Sequence, residues 1–146
     1  MRVLVIAVGK IKERGIREAV DDYAKRIARY ARFEEIELKD GDAADVLARF
    51  RKAVPERTTV VALEVEGKSW SSHDLSKFVE RVEGSGANGV AFLIGGSYGL
   101  PPELSKAADV QLSLSNMTLP HRLARLLLLE QVYRAFTISR GEPYSH

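Results

Sequence analysis

The sequence predicts a single α/β domain with a mostly parallel sheet and helices on both faces. Strand-like and helix-like segments alternate along all 146 residues, and the clearest strands are continuous apolar runs, which is typical of strands buried on both faces. The length suits one domain with a hydrophobic core that needs no disulfides, and the chain has no cysteine. Five strands are expected, at Val3–Val8, Phe33–Leu38, Thr59–Val65, Val90–Ile94 and Val110–Leu114.

The first two strands enclose one helix. Val3–Val8 is apolar throughout and ends at Gly9. Apolar residues then recur at helical spacing from Ile16 to Tyr30, which predicts the first helix. Phe33–Leu38 alternates apolar and acidic residues, so we expect a more exposed strand there.

The middle of the chain contains two capped helices. Asp42 is a suitable cap for the second helix, which Pro55 ends. After the strand Thr59–Val65, Ser71 and Asp74 have the spacing of a capping box and predict the start of the third helix.

The last third contains a short helix and a long one. Pro102 suits the first turn of a helix that extends to about Ala107. The last helix is expected from about His121 to Ile138, and its segment Leu126–Leu129 is apolar on nearly every side. Such a helix needs cover on more than one face, so we expect a homodimer.

Charge is uneven along the chain although its formal net value is only +2. Residues 1–32 carry nine Lys or Arg against four acids, and Lys10, Lys12, Arg14 and Arg17 are candidates for phosphate contact. A solvated helix face of mixed sign is the alternative interpretation. The first residues are too few for a membrane span and lack a signal-peptide cleavage site, so we expect a cytoplasmic protein without a membrane partner.

Several common site motifs do not match. The turn after the first strand has one glycine, where a dinucleotide fingerprint needs several. The segment Gly67-Lys68-Ser69 imitates the end of a phosphate-binding loop, but Ala62 stands where that loop needs glycine. No Gly-x-Ser-x-Gly elbow occurs. The three histidines lie far apart in sequence, so no metal site is expected.

Two loops near the carboxyl end of the chain indicate a ligand site. The fourth strand leads into residues 95–100, GGSYGL, and the fifth leads into residues 115–121, SNMTLPH. Loops at the carboxyl ends of neighbouring parallel strands are where α/β proteins bind ligands. Tight turns that need positive φ, or a cap for the last helix, are the alternative interpretations.

Three segments together resemble a known family: residues 92–100 (FLIGGSYGL), residues 112–136 (LSLSNMTLPHRLARLLLLEQVYRAF) and residues 141–146 (GEPYSH). Residues 1–12 (MRVLVIAVGKIK) and 60–70 (VVALEVEGKSW) fit the same pattern. The chain is similar to the knotted methyltransferases of the SPOUT superfamily. Within it, the chain most resembles the small enzymes that methylate N3 of a pseudouridine in helix 69 of 23S large-subunit ribosomal RNA.

The resemblance implies one SPOUT methyltransferase domain over residues 1–146, with a carboxyl-terminal trefoil knot that binds S-adenosylmethionine. It also implies a homodimer whose partner is large-subunit rRNA in the ribosome, with no metal. The cofactor contacts that it implies are Leu63, Gly95, Gly96, Ser115, Asn116, Met117, Thr118, Leu119 and Pro120.

The resemblance also indicates catalytic candidates. Methyl transfer to N3 needs alignment of donor and acceptor and loss of a proton from the nitrogen. Tyr144 and His146 in the tail and Arg134 in the last helix are the candidates. Ser145 separates the tail tyrosine from the histidine, which are adjacent in the family, so the identity of the base stays open. Arg134 could instead pair with Glu130.

His121 is a candidate for a helix cap or for contact with RNA or cofactor. Two further functions remain as alternatives. One is a SPOUT methyltransferase that acts on tRNA or on another rRNA site, although the chain lacks an RNA-binding extension. The other is a non-catalytic α/β dimer that binds RNA or the ribosome.

Overall fold

A computed structural model describes residues 1–144. Its centre is a five-stranded sheet in the order β2-β1-β4-β3-β5, and all pairings between these strands are parallel. The strands are β1 (Arg2–Val8), β2 (Arg32–Leu38), β3 (Thr58–Ser69), β4 (Gly89–Ile94) and β5 (Val110–Ser113). The helices are α1 (Arg14–Ile27), α2 (Ala43–Ala53), α3 (Ser72–Gly84), α4 (Pro102–Ala107) and α5 (His121–Ser139). The predicted fold class is confirmed.

Helices cover the sheet on both faces. Helices α1, α3 and α5 pack on one face with alternate residues of β1, such as Val3 and Val5. Helices α2 and α4 pack on the other face with Leu4 and Ile6. Both sides of β1 and β4 are therefore buried, which explains why their sequences are continuous apolar runs. None of the helices within residues 1–144 is long and apolar enough to cross a membrane.

Strand β2 lies at an edge of the sheet and is more exposed, as its alternating sequence predicted. Strand β3 is longer than the predicted Thr59–Val65. Its pairing with β5 shifts register between Leu63 and Lys68, which indicates a bulge. Gly67 belongs to this strand, and a Cβ there would lie 2.7 Å from the Gln111 carbonyl carbon. Position 67 therefore needs glycine because the backbones of β3 and β5 approach each other closely there.

The predicted helix starts are confirmed by their hydrogen bonds. The Asp42 carboxylate accepts a hydrogen bond of 2.8 Å from the Asp45 amide at the start of α2. At the start of α3, Ser71 and Asp74 each accept a hydrogen bond from the other's amide, both at 3.0 Å. These contacts satisfy amides that the helix itself leaves unpaired.

Helix α5 packs between α1 and α3 along most of its length. Leu128, Leu129 and Phe136 on its inner side are fully buried. On its outer side, Leu123 is 38% exposed and Leu127 is 45% exposed. Residues 1–144 therefore leave exposed part of the apolar surface of α5 from which we predicted a partner.

Candidate ligand-binding site

A cavity of about 560 Å³ opens at the carboxyl edge of the sheet. The loops after β4 and β5 enclose it together with the middle of β3 and the first turns of α5. Its volume lies within the range of small-molecule sites. The topology explains the location, because the two loops follow parallel strands that flank β3 on either side.

Eight of the nine residues predicted to contact a cofactor line this cavity. They are Leu63, Gly95, Gly96, Ser115, Met117, Thr118, Leu119 and Pro120. Asn116 is exposed and is not among the lining residues. The structure therefore brings the two predicted loops together around one space.

The glycines of the β4 loop have different roles. A Cβ on Gly95 would lie 2.3 Å from the Gly99 carbonyl carbon, and Gly99 itself has φ of +79°. The turn therefore needs both glycines for its own geometry. A Cβ on Gly96 would lie 3.2 Å from the Val8 side chain, and Gly96 lines the cavity. Gly96 thus presents bare backbone to the cavity, and a side chain at this position would press on Val8 of the core.

The β5 loop is held by its serines. The Ser113 hydroxyl donates to the Ser115 carbonyl at 3.0 Å, and the Ser115 hydroxyl accepts from the Met117 amide at 3.0 Å. The turn role that was an alternative for Ser115 is therefore confirmed. Met117 is 78% exposed and Thr118 is also exposed, so both remain accessible at the cavity.

The wall of the cavity suits a flat, largely uncharged group with a polar edge. Leucine side chains, Ile94 and the bare Gly96 backbone supply apolar or neutral surface. The ionisable side chains on the wall are Glu64, His121 and Arg122. An adenosine group needs a slot of this kind, with bare backbone beside it, so the residues present fit S-adenosylmethionine.

His121 lies on the cavity wall, in the first turn of α5. It does not cap the helix by a side-chain hydrogen bond, so the capping role is wrong. Its Nδ1 is buried and has no hydrogen-bond partner within residues 1–144. Burial, followed by the charges of Arg125 and Arg122, lowers the pKa of His121. The imidazole is therefore neutral at neutral pH.

Sequence reasoning missed a buried ionic cluster behind this wall. Arg125 is fully buried, and its guanidinium contacts Glu35 at 2.9 Å and also Glu37. Its Nη2 donates to the Gly9 carbonyl at 3.0 Å. Arg17 on α1 contacts the same two glutamates. The cluster ties α5 and the end of β1 to the edge strand β2.

The tail candidates form a second polar cluster on α5. The Tyr144 hydroxyl donates to Glu130 at 2.7 Å, and Arg134 contacts the same carboxylate at 2.7 Å. The Arg134 guanidinium also lies 5.0 Å from the centre of the Tyr144 ring. The predicted pairing of Arg134 with Glu130 is thus present, and it places Arg134 beside Tyr144.

The ionisation states in this cluster follow from burial and pairing. Burial and the hydrogen bonds to Tyr23 and Glu130 raise the pKa of the Tyr144 hydroxyl. Burial also raises the pKa of Glu130, but hydrogen bonds from Arg134 and Tyr144 outweigh it, so that this pKa lies below its ordinary value. Tyr144 is therefore a protonated donor, and Glu130 is an anion.

The cavity and the tail cluster lie apart within one chain. Arg134 lies thirteen positions after His121 on α5, which corresponds to about 20 Å along the helix axis. Neither Arg134 nor Tyr144 lines the cavity. The third catalytic candidate, His146, and the preceding Ser145 lie outside the described residues.

Comparisons with known proteins agree on one family. The family model described as "Predicted SPOUT methyltransferase" matches residues 1–146. The chain is 50% identical over 146 residues to "Ribosomal RNA large subunit methyltransferase H" of Sorangium cellulosum, covering 100% of both chains. It is 45% identical over 157 aligned residues to the protein of the same name from Acetivibrio thermocellus, covering 99% of both.

A solved structure gives the same result for the fold. The structure of a methylase family protein from Haemophilus influenzae Rd KW20 matches with a TM-score of 0.59 and 14% sequence identity. The match covers 99% of this chain and 70% of that one. At this level of identity the likeness shows a shared fold.

Proposed function

Because this chain belongs to the SPOUT methyltransferase family, we propose that it methylates N3 of a pseudouridine in helix 69 of 23S large-subunit rRNA. The methyl donor of this family is S-adenosylmethionine. Relatives that match the whole chain are named as large-subunit rRNA methyltransferases, which supports this class of substrate. The proposal includes the trefoil knot of the family and a cytoplasmic homodimer as the working form.

The cavity at the carboxyl edge of the sheet is the observation that carries the proposal. We assign it to the cofactor because its wall gathers eight of the nine residues that the sequence pointed to. Gly96 presents bare backbone to the adenosine, and Leu63 on β3 provides apolar contact on the other side. When bound, S-adenosylmethionine supplies an activated methyl group. The apolar wall orients that group and limits the access of water.

The tail cluster supplies the groups that act on the target base. Arg134 is held by Glu130, and its guanidinium can donate a hydrogen bond to the target base as that base loses its proton. The raised pKa of Tyr144 makes it a hydrogen-bond donor and an unsuitable base at neutral pH. Its role is to position the base or Arg134, to which it is linked through Glu130. His146 is the remaining candidate for the proton acceptor.

A two-fold dimer would bring the cavity and the tail cluster together. Leu123, Leu127, Glu130 and Arg134 follow one another at helical spacing on one face of α5. The exposed leucines lie near the cavity end of that face and Arg134 lies toward the other end. In an isologous pair with these faces opposed, the tail cluster of one copy meets the cavity of the other.

A second cavity supports contact at this face. It has a volume of about 310 Å³ and lies beside the first, sharing Leu112 and Leu114 with it. Trp70, Leu127 and Gln131 line it, so apolar side chains and an amide are open to a partner there. An interface over this region would cover the uncovered side of α5.

Labelled S-adenosylmethionine and ribosomes that lack the modification test the proposed function. We expect label in large-subunit rRNA, and mass-spectrometric mapping should place the methyl on one pseudouridine of helix 69. Label at another rRNA position or in tRNA would assign a different substrate. No label, with no binding of S-adenosylmethionine by calorimetry, would favour a non-catalytic RNA-binding dimer.

A further inference from the structure

The loop between β1 and α1 is anchored at every second residue. The Gly9 carbonyl accepts a hydrogen bond of 3.0 Å from the buried Arg125. Ile11 is only 7% exposed and belongs to the core. Glu13 forms an ion pair of 2.7 Å with Arg122. The contacts of residues 9, 11 and 13 hold the loop in place, and the intervening Lys10 and Lys12 are both exposed.

This loop packs against two residues of the cavity wall. Gly9 has φ of +90°, and a Cβ there would lie 3.7 Å from the His121 ring. Glu13 contacts Arg122, and both His121 and Arg122 line the cavity. The two lysines therefore lie on a loop that is directly adjacent to the cavity wall.

The basic residues of this segment differ in whether they are neutralised. Arg14 pairs with Glu18 at 3.0 Å. Arg17 pairs with Asp21 at 2.8 Å and with the two glutamates of β2. Lys10 and Lys12 have no carboxylate within 4.0 Å in the part of the chain that the structure describes. Of the four residues that the sequence indicated for phosphate contact, these two keep their charge available.

We propose that Lys10 and Lys12 bind backbone phosphates on either side of the nucleotide that enters the cavity. The inference rests on the proposed function, because it takes RNA as the substrate. Fixed, exposed cations on a rigid loop can hold a phosphate backbone in register without reading its sequence. Each phosphate that a lysine neutralises also releases counterions, which makes binding weaken as salt rises.

The double variant K10A/K12A tests this assignment in the full-length protein. Its KM for ribosomal RNA should rise by about tenfold, while kcat and the Kd for S-adenosylmethionine stay at wild-type values. The slope of log KM against log salt should fall by about 2, one for each lost phosphate contact. The variant K10R/K12R should retain both the KM and the slope.

The variant K25A/K52A is the matched control. Lys25 near the end of α1 and Lys52 near the end of α2 are also exposed. Both helix ends lie toward the amino ends of the strands, whereas the cavity lies at their carboxyl ends. Wild-type KM and salt slope in K10A/K12A would overturn the inference, as would equal losses in the control.

Direct binding of a helix 69 RNA hairpin, followed by fluorescence anisotropy, separates this inference from the proposed function. Lysine-dependent binding without methylation would overturn the function and leave the RNA surface in place. Methylation that does not depend on either lysine would overturn the proposed RNA contact of Lys10 and Lys12 and leave the proposed function in place. Absence of both binding and methylation would overturn both.

Discussion

His121 should make the stability of this chain depend on pH. Burial and the nearby Arg125 and Arg122 lower its pKa, and they outweigh Glu13 and Glu37, which raise it. Below about pH 6.5 the unfolded chain therefore takes up a proton more readily than the folded one. The free energy of unfolding should fall as the pH drops from about 8 to about 5, because protonation of this imidazole favours the unfolded chain.

Urea unfolding across this pH range, with His121→Gln, measures the effect. The variant should lose less stability than the wild type as the pH falls, because it has no imidazole to protonate. His73 is exposed and provides the matched control, so His73→Gln should follow the wild type. Equal pH slopes in His121→Gln and wild type would contradict the prediction.

Gly96 should control cofactor affinity more than folding. In Gly96→Val the added Cβ would lie 3.2 Å from the Val8 side chain, so the backbone at position 96, which lines the cavity, would have to shift. We expect calorimetry to show at least about a tenfold loss of affinity for S-adenosylmethionine, with a stability loss of about 1–3 kcal/mol. Gly84→Ala is the control, because a Cβ there meets nothing within 4 Å. Undiminished affinity in Gly96→Val would show that the cofactor binds elsewhere.

At the scale of the elements, the sequence predicted those features that depend on contacts between residues close together in the chain. The helix starts at Asp42 and Ser71 were predictable because each cap lies three residues from the amide that it binds. The extension of β3 beyond Val65 was missed, since it depends on pairing with β5 through a bulge at Gly67.

The site follows the same division between local and distant contacts. Both cavity loops were predictable because each is a turn that directly follows an apolar strand. Arg125 was missed because its position among the leucines of α5 does not distinguish it from Arg122 and Arg134, and its partner Glu35 lies 90 residues away in sequence. The position of the loop that carries Lys10 and Lys12 also depends on that distant arginine, through the Gly9 carbonyl.

Helix α5 should provide the dimer interface. Leu127→Glu places a charge on its exposed apolar side, which a partner helix would have to bury without compensation. We expect light scattering to give a dimer mass for the wild type and a monomer mass for the variant. Ala48→Glu introduces the same charge at an exposed position of α2, on the opposite face of the sheet, and should remain dimeric. An unchanged mass for Leu127→Glu would exclude this face as the interface.

At the scale of the whole molecule, the separation of cavity and tail makes the proposed dimer part of the catalytic site. The cavity lies at the amino end of α5, whereas Tyr144 and Arg134 lie about 20 Å away toward the other end. Arg134 and Tyr144 share the partner Glu130 on α5, and this contact holds them together. A simple hinge of the tail therefore does not bring both residues to the cavity of the same chain.

Mixing two inactive variants tests this arrangement. Gly96→Val damages the cavity, and Arg134→Ala damages the tail cluster, so at S-adenosylmethionine concentrations well below the Kd of Gly96→Val each homodimer should be nearly inactive with both of its sites affected. In a mixed dimer, the intact cavity of the Arg134→Ala copy meets the intact tail of the Gly96→Val copy, and one site is complete. Random exchange makes half of the dimers mixed, so methylation should recover to about a quarter of the wild-type rate.

The control mixture separates true complementation from other effects of mixing. Gly96→Val is mixed under the same conditions with a chain that carries both substitutions, and no dimer in this mixture contains an intact cavity. Methylation should therefore stay at the level of the separate variants. If the first mixture also stays at that level, although both variants are folded and exchange subunits, each chain must complete its own site. Arg134 would then have to reach the cavity of its own chain by a rearrangement of α5.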